Sequence, residues 1–153
     1  MGLISVLINA TDDPQALTRL LTALVPAAAE GLVREVAVIG ASGPAHAIAD
    51  DAGTGLYDDF AEAYRRAKGP WIAALPPGPN LAPDWMELVI AHLAKDEQRP
   101  ARLVDRSTTL SLSARLEGWL IPKSLAGSAG VVEHDLQRLA RRGGGRLRIL
   151  DRR

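Results

Sequence analysis

The chain has 153 residues, with 18 Lys and Arg against 18 Asp and Glu, and no Cys. This length suits a single domain over residues 1–153 that buries its own core. The balanced charge argues against nucleic acid as a partner. The absence of Cys excludes disulfides and thiol nucleophiles and fits a reducing, cytoplasmic compartment. The apolar start carries no basic leader, so we predict no targeting segment.

The first strand and helix follow from local patterns. Residues 3–8 form a nearly continuous apolar run, which predicts a strand covered on both faces. Asp13 followed by Pro14 predicts a helix start, because a carboxylate caps free amides and a proline ring needs no donor in the first turn. We expect Pro26 and Gly31 to end this helix.

Strands and helices continue to alternate along the chain. Residues 35–39 predict a second buried strand, followed by a glycine-containing turn at 40–44 and a short helix to about Ala52. A helix is expected to begin at residue 57 or 58 and to end at 68, where Gly and Pro follow. Residues 71–75 predict a third strong strand.

The second half of the chain has weaker patterns. The prolines at 76–79 force a loop, because they cannot continue a strand ladder. Helices are expected at 84–95, where Asp84 opens the first turn, and at about 132–142. Shorter strand patterns, one of them with clean alternation, occur at 102–104, 109–112, 117–121 and 147–150.

The order of these elements predicts an α/β fold. Alternating strands and helices indicate a three-layer sandwich, in which helices cover both faces of a largely parallel central sheet with antiparallel additions late in the chain. Ligands of such sheets bind beyond the carboxyl ends of the strands. We therefore expect a binding site among the loops at 9–13, 40–44 and 76–80.

Five segments carry a resemblance to a known family. They are residues 4–13 (ISVLINATDD), 35–39 (EVAVI), 71–85 with the motif LAPDW, 118–127 with the motif IPK, and 133–150, which begins EHDL. In this order they resemble the first strand and nucleotide loop, the second strand, the fourth strand with the next helix start, a later strand, and the acidic catalytic segment of family 2 nucleotide-sugar glycosyltransferases. The resemblance implies the GT-A fold.

The resemblance also implies roles for individual residues. The nucleotide would contact residues of the first two loops, namely Thr11, Asp12, Asp13 and Gly40. A general base for an acceptor hydroxyl would be Glu133 or Asp135. A second interpretation gives these acidic residues no role in ligand binding or catalysis. Asp13 is suited to cap a helix, and acidic residues are favourable in the first turn of a helix.

The positions that matter most for chemistry depart from the family pattern. The second strand should end in an acidic residue that recognises the base, but Gly40 stands there. The fourth strand should end in Asp-x-Asp, which holds the divalent ion at the diphosphate. Pro76, Pro77 and Gly78 occupy this motif, and none of them has a side-chain ligand. We therefore expect no divalent metal and no other cofactor.

Three functions are compatible with these departures. The first is a degenerate family 2 glycosyltransferase-like protein without metal-dependent transfer, which binds a nucleotide sugar or an intact transferase partner. The second is an active, metal-independent glycosyltransferase. The third is an α/β protein-interaction domain that binds no nucleotide, since fold alone does not fix function.

The carboxyl-terminal segment is locally basic. It suggests peripheral contact with a membrane, because clustered cations attract anionic headgroups. A solvated helix face and tail would have the same composition, and the segment lacks the aromatic residues that anchor proteins at an interface. The residues concerned are Arg138, Arg141, Arg142, Arg146, Arg148, Arg152 and Arg153.

Other candidate sites have little support. Residues 38–43 suggest a dinucleotide loop, but the third glycine is missing, since Ala45 and His46 stand where it would fall. The histidines lie on separate predicted elements, which argues against a metal site, and we expect His92 on the flank of its helix. No serine has the context of a nucleophile elbow.

Overall fold

A computed structural model describes residues 2–10, 13–76, 78–95, 98–106, 118–126 and 133–151. Within these ranges the strands are β1 (Ile4–Asn9), β2 (Val33–Ile39), β3 (Gly55–Tyr57), β4 (Trp71–Leu75), β5 (Asn80–Leu81), β6 (Ala101–Asp105), β7 (Gly118–Pro122) and β8 (Gly145–Asp151). The α-helices are α1 (Pro14–Ala29), α2 (Gly43–Asp51), α3 (Phe60–Arg66), α4 (Trp85–Leu93) and α5 (Glu133–Gly143). A short 3-10 helix spans Lys123–Ala126.

The strands form one mixed sheet in the order β3-β2-β1-β4-β7-β6-β8-β5. The first four strands in this order run parallel, so their carboxyl ends lie at one edge of the sheet. We call this edge the upper edge. β7 is antiparallel to β4 and β6, β8 is parallel to β6, and β5 is antiparallel to β8. The predicted α/β sheet with late antiparallel additions is confirmed.

Two apolar clusters, one on each face of the sheet, give the fold its three layers. On one face, Leu20 and Leu24 of α1, the smaller α2 and Trp85 of α4 pack against β1, β2 and β4. On the other face, Tyr64 of α3 and Leu136 of α5 pack against β4 and β7. β1 is buried on both sides as a result. The predicted three-layer sandwich is confirmed.

A polar cluster around the buried Ser5 joins the amino-terminal ends of the central strands. Ser5 is fully buried, donates to Oε2 of Glu35 at 2.9 Å and accepts from the amide of Gly69 at 2.8 Å. The same Glu35 oxygen accepts from the amide of Lys68 at 2.8 Å. A Cβ at Gly69 would lie 2.7 Å from the nitrogen of Ser5, so this approach requires glycine. The cluster thus fixes the entry into β4 against β1.

The end of α1 differs from expectation. The prediction that Pro26 ends α1 is wrong, since the helix continues through it to Ala29 before Gly31 adopts φ +84°. Pro26 is exposed near the end of the helix, and the buried Leu24 and Ala27 on either side hold this last turn against the sheet. Tertiary packing therefore outweighs the hydrogen bond that proline removes.

Short strands occupy positions that the sequence assigns to other structures. Residue 57, expected to begin a helix, instead ends β3, and β5 lies where a loop is expected.

His92, expected on a helix flank, is buried, with Nε2 2.6 Å from the carbonyl oxygen of Arg99. The strand predicted at 109–112 lies outside the described residues. No helix within the described ranges has the length and apolar content needed to cross a bilayer.

Replacing Ser5 with Ala should lower the free energy of unfolding by about 1–3 kcal/mol, because the buried amide of Gly69 loses its acceptor. Urea denaturation measures this change. Thr22→Ala is the matched control, since its exposed hydroxyl only donates to the Thr18 carbonyl one turn earlier at 2.8 Å. We expect the control to change stability by less than about 0.5 kcal/mol. Equal losses in both variants would contradict this account.

Candidate functional site

The upper edge brings together the loops that follow β1, β2 and β3. The amide of Ala10 donates to the carbonyl of Ile39 at 2.9 Å, and the amide of Gly40 donates to the carbonyl of Tyr57 at 2.9 Å. These bonds extend the strand pairing by one residue beyond the sheet. The predicted nucleotide loops therefore leave the sheet side by side. Thr11 and Asp12 lie outside the described residues.

The start of α5 reaches the upper edge through one hydrogen bond. Nδ2 of Asn9, the last residue of β1, donates to Oε1 of Glu133, the first residue of α5, at 3.1 Å. Both side chains are half-buried. Asp135 lies in the same helical turn and is exposed. The structure thus brings Glu133 to the end of β1, although 124 positions separate it from Asn9 in the chain.

Asp13 and Gly40 have clear local roles at this edge. Oδ1 of Asp13 accepts from the amide of Ala16 at 3.1 Å, which is the capping bond predicted for α1. Gly40 is exposed with φ +73°, and a Cβ there would meet no atom within 4 Å. The end of β2 therefore offers open space where a carboxylate side chain would otherwise project.

The described residues at the carboxyl end of β4 have no metal-binding side chain. Pro76 is buried and Gly78 is exposed with φ +107°, and neither side chain carries a donor atom. A Cβ at Gly118 would lie 2.3 Å from the carbonyl oxygen of Ala74 and 3.1 Å from Cδ of Pro76, so β7 packs closely against this end. Among the described residues, no three His, Asp or Glu side chains are grouped to hold a metal ion. The described residues at this end therefore supply no side-chain ligand for a divalent cation.

A cation missed by sequence reasoning lies beside the loop after β4. The sequence shows no Lys or Arg within the loops at the upper edge, but Nε of Arg19, in the second turn of α1, donates to Oδ1 of Asn80 at 3.2 Å. The two residues are 61 positions apart, and no local pattern links them. Between α1 and this loop lies a small recess, lined by Ile8, Asn9, Ala10, Ala16, Leu17, Leu20 and Gly78.

The layers, strand order and upper edge together form the fold of GT-A-type glycosyltransferases. A solved structure of glucosyl-3-phosphoglycerate synthase from Mycobacterium tuberculosis, with Mn²⁺, UDP and glucosyl-3-phosphoglycerate, matches with a TM-score of 0.62 and 17% identity over 81% of this chain and 58% of that chain. A second structure of the enzyme, with Mn²⁺, UDP and phosphoglyceric acid, matches with a TM-score of 0.61, 17% identity and coverages of 81% and 57%.

A further solved structure, described as a mycobacterial protein, matches with a TM-score of 0.60 and 19% identity over 81% of this chain and 54% of that chain. This chain thus spans a little over half the length of these solved proteins. No family model and no curated protein sequence matches it. At such low identity the likeness concerns the fold, and at that level the predicted resemblance to glycosyltransferases is confirmed.

The hydrogen bond between Asn9 and Glu133 should be measurable in a double-mutant cycle. Asn9→Ala and Glu133→Ala should each destabilise the protein, with a coupling free energy of about 1 kcal/mol, because the bond is charge-assisted but only partly buried. Urea denaturation of the two single variants and the double variant gives this value. Asp135→Ala is the control, since its exposed carboxylate should show no coupling to Asn9. A coupling as large for Asp135 would contradict the assignment.

Proposed function

We propose that this chain is a glycosyltransferase-like protein that binds a nucleotide sugar without metal-dependent sugar transfer. The observation that carries the proposal is the end of β4, where Pro76 and Gly78 present no ligand for a cation. The M. tuberculosis enzyme of the same fold is described with both Mn²⁺ and UDP. Without a metal at this end, the diphosphate charge must be met by the protein itself.

Two features of the upper edge support metal-independent binding. Arg19 carries a permanent charge beside the loop after β4, and a guanidinium can donate two hydrogen bonds to a phosphate. The open space at Gly40 leaves room for a base at the end of β2. We also propose that the protein is cytoplasmic, which the absence of Cys favours.

Nucleotide-sugar titration tests this function directly. We expect UDP-glucose or a GDP-sugar to raise the melting temperature equally with Mn²⁺ and with EDTA. Arg19→Gln should weaken binding about tenfold or more in calorimetry, because a charge-assisted hydrogen bond is lost. Arg34→Gln is the matched control, since it removes an exposed arginine near the start of β2, at the opposite edge of the sheet.

The possible results separate the functions. Stabilisation that requires Mn²⁺ would refute the proposal. Binding that Arg19→Gln and Arg34→Gln weaken equally would refute the assignment of Arg19 to the diphosphate. No binding of any nucleotide sugar would favour a protein-interaction domain, and the partner to test first would then be an intact transferase.

A second candidate function is metal-independent sugar transfer. It is favoured by the hydrogen bond from Asn9, which holds the carboxylate of Glu133 at the upper edge, where it could accept a proton from an acceptor hydroxyl. If transfer occurs, Glu133→Gln should lower kcat by a factor of about 100 or more. Asp135→Asn should change it little, because that carboxylate is exposed. Release of UDP from UDP-glucose in the presence of EDTA is the measurement, and equal losses in both variants would contradict this role.

A further inference from the structure

Five exposed arginines of α5 and β8 form a charged surface. We call this surface the basic face. None of its guanidinium groups forms a hydrogen bond or ion pair with another described residue. The residues are Arg138, Arg141, Arg142, Arg146 and Arg148.

The fold places both sets of arginines on the same side of the sheet. Leu136 and Ala140 hold α5 against the sheet, so helical spacing turns its three arginines toward solvent. On β8, Arg146 and Arg148 alternate with Leu147 and Ile149, which pack in the cluster on the opposite face. α5 and β8 are joined by one residue, and α5 lies over β6, the neighbour of β8.

Charge is separated along these two elements. The basic face contains five of the 18 Lys and Arg of a chain without net charge. The acidic residues of α5 and β8 are Glu133, Asp135 and Asp151, and they lie at the ends of these elements nearest the upper edge. The arginines lie further from that edge, after the acidic residues in α5 and before Asp151 in β8. These two elements are therefore polarised although the total charge of the chain is balanced.

We propose that the basic face docks the protein on an anionic phospholipid surface. Guanidinium groups pair with phosphate oxygens in two parallel hydrogen bonds, and each such residue near an anionic bilayer strengthens binding about fivefold. A helix side beside a strand presents these charges over a broad surface. Neither α5 nor β8 contains a Phe, Tyr or Trp on which nucleic-acid bases could stack, which favours lipid over nucleic acid. This inference does not depend on nucleotide binding.

The arginines of β8 also have a structural explanation, which the test must distinguish from lipid binding. β8 pairs with β5 at residues 150 and 151, and Ile149 accepts a hydrogen bond from the amide of Ala82. No described strand pairs with residues 145–148 on this side, and we call this stretch the open edge of β8. Charged residues on such an edge hinder association with another strand. Replacing Arg146 and Arg148 with Glu keeps the edge charged and removes only the attraction to anionic lipid.

Vesicle sedimentation with the full chain tests the docking. We expect binding to vesicles of phosphatidylcholine with phosphatidylglycerol, no binding to phosphatidylcholine alone, and loss of binding in high salt. R146E/R148E should bind at least about 25-fold more weakly, because two contributions of about fivefold are lost. R34E/K95E is the matched control with the same charge change, since both of its residues are exposed and lie outside the basic face. This control should bind like the natural protein.

Defined results would overturn the proposal. They are equal losses in the two charge-reversal variants, no binding to the anionic vesicles, or tighter binding to duplex DNA than to vesicles. If R146E/R148E associates in size-exclusion chromatography, Arg138→Gln with Arg142→Gln is the second test. These helix residues do not lie on the open edge of β8, and the double variant should again bind about 25-fold more weakly. Unchanged binding by this variant would also overturn the proposal.

Discussion

The parallel pairing of β1 with both β2 and β4 is the constraint on which the rest of the structure depends. β1 is covered by helices on both faces, so its fully buried side chains are apolar except for the hydrogen-bonded Ser5. Its backbone groups must find partners in the neighbouring strands. Parallel strands need long crossovers, which α1 and α3 provide. The same pairing aligns the carboxyl ends of the strands, and the upper edge with its loops is the result.

This constraint explains which elements the sequence predicts well. β4 occupies Trp71–Leu75 as predicted, because a strand buried on both faces is apolar at every position. The start of α1 follows from Asp13 and Pro14, whose capping chemistry is local. β3 and β5 have three and two residues, which is too few for any period to emerge. They exist because a neighbouring strand offers unpaired backbone groups.

The candidate site was predictable only in part, for a related reason. The positions of the loops could be predicted, because the sequence pattern changes from that of a strand to that of a helix at each of them. Contacts between residues distant in the chain could not be predicted. The hydrogen bonds of Asn9 with Glu133 and of Arg19 with Asn80 depend on how α5 and α1 pack against the sheet. Side chains distant in sequence meet through packing, and packing has no local signature.

The fold and the site also respond to different demands. The sheet requires apolar residues at many positions and tolerates exchange among them, whereas chemistry at the upper edge requires specific groups at a few loop positions. A chain can therefore keep the architecture of a glycosyltransferase at 17% identity while the end of β4 carries proline and glycine. This contrast is what makes a binding role worth testing before a catalytic one.

The backbone at the end of β4 has a consequence for any attempt to introduce a metal site there by mutation. Gly78 has φ +107°, a conformation that side-chain-bearing residues rarely adopt, so an aspartate introduced there would strain the loop. An aspartate in place of the buried Pro76 would also have to fit beside Gly118. A metal site at this position would thus require a new path of the loop together with new side chains, and two substitutions alone would not suffice.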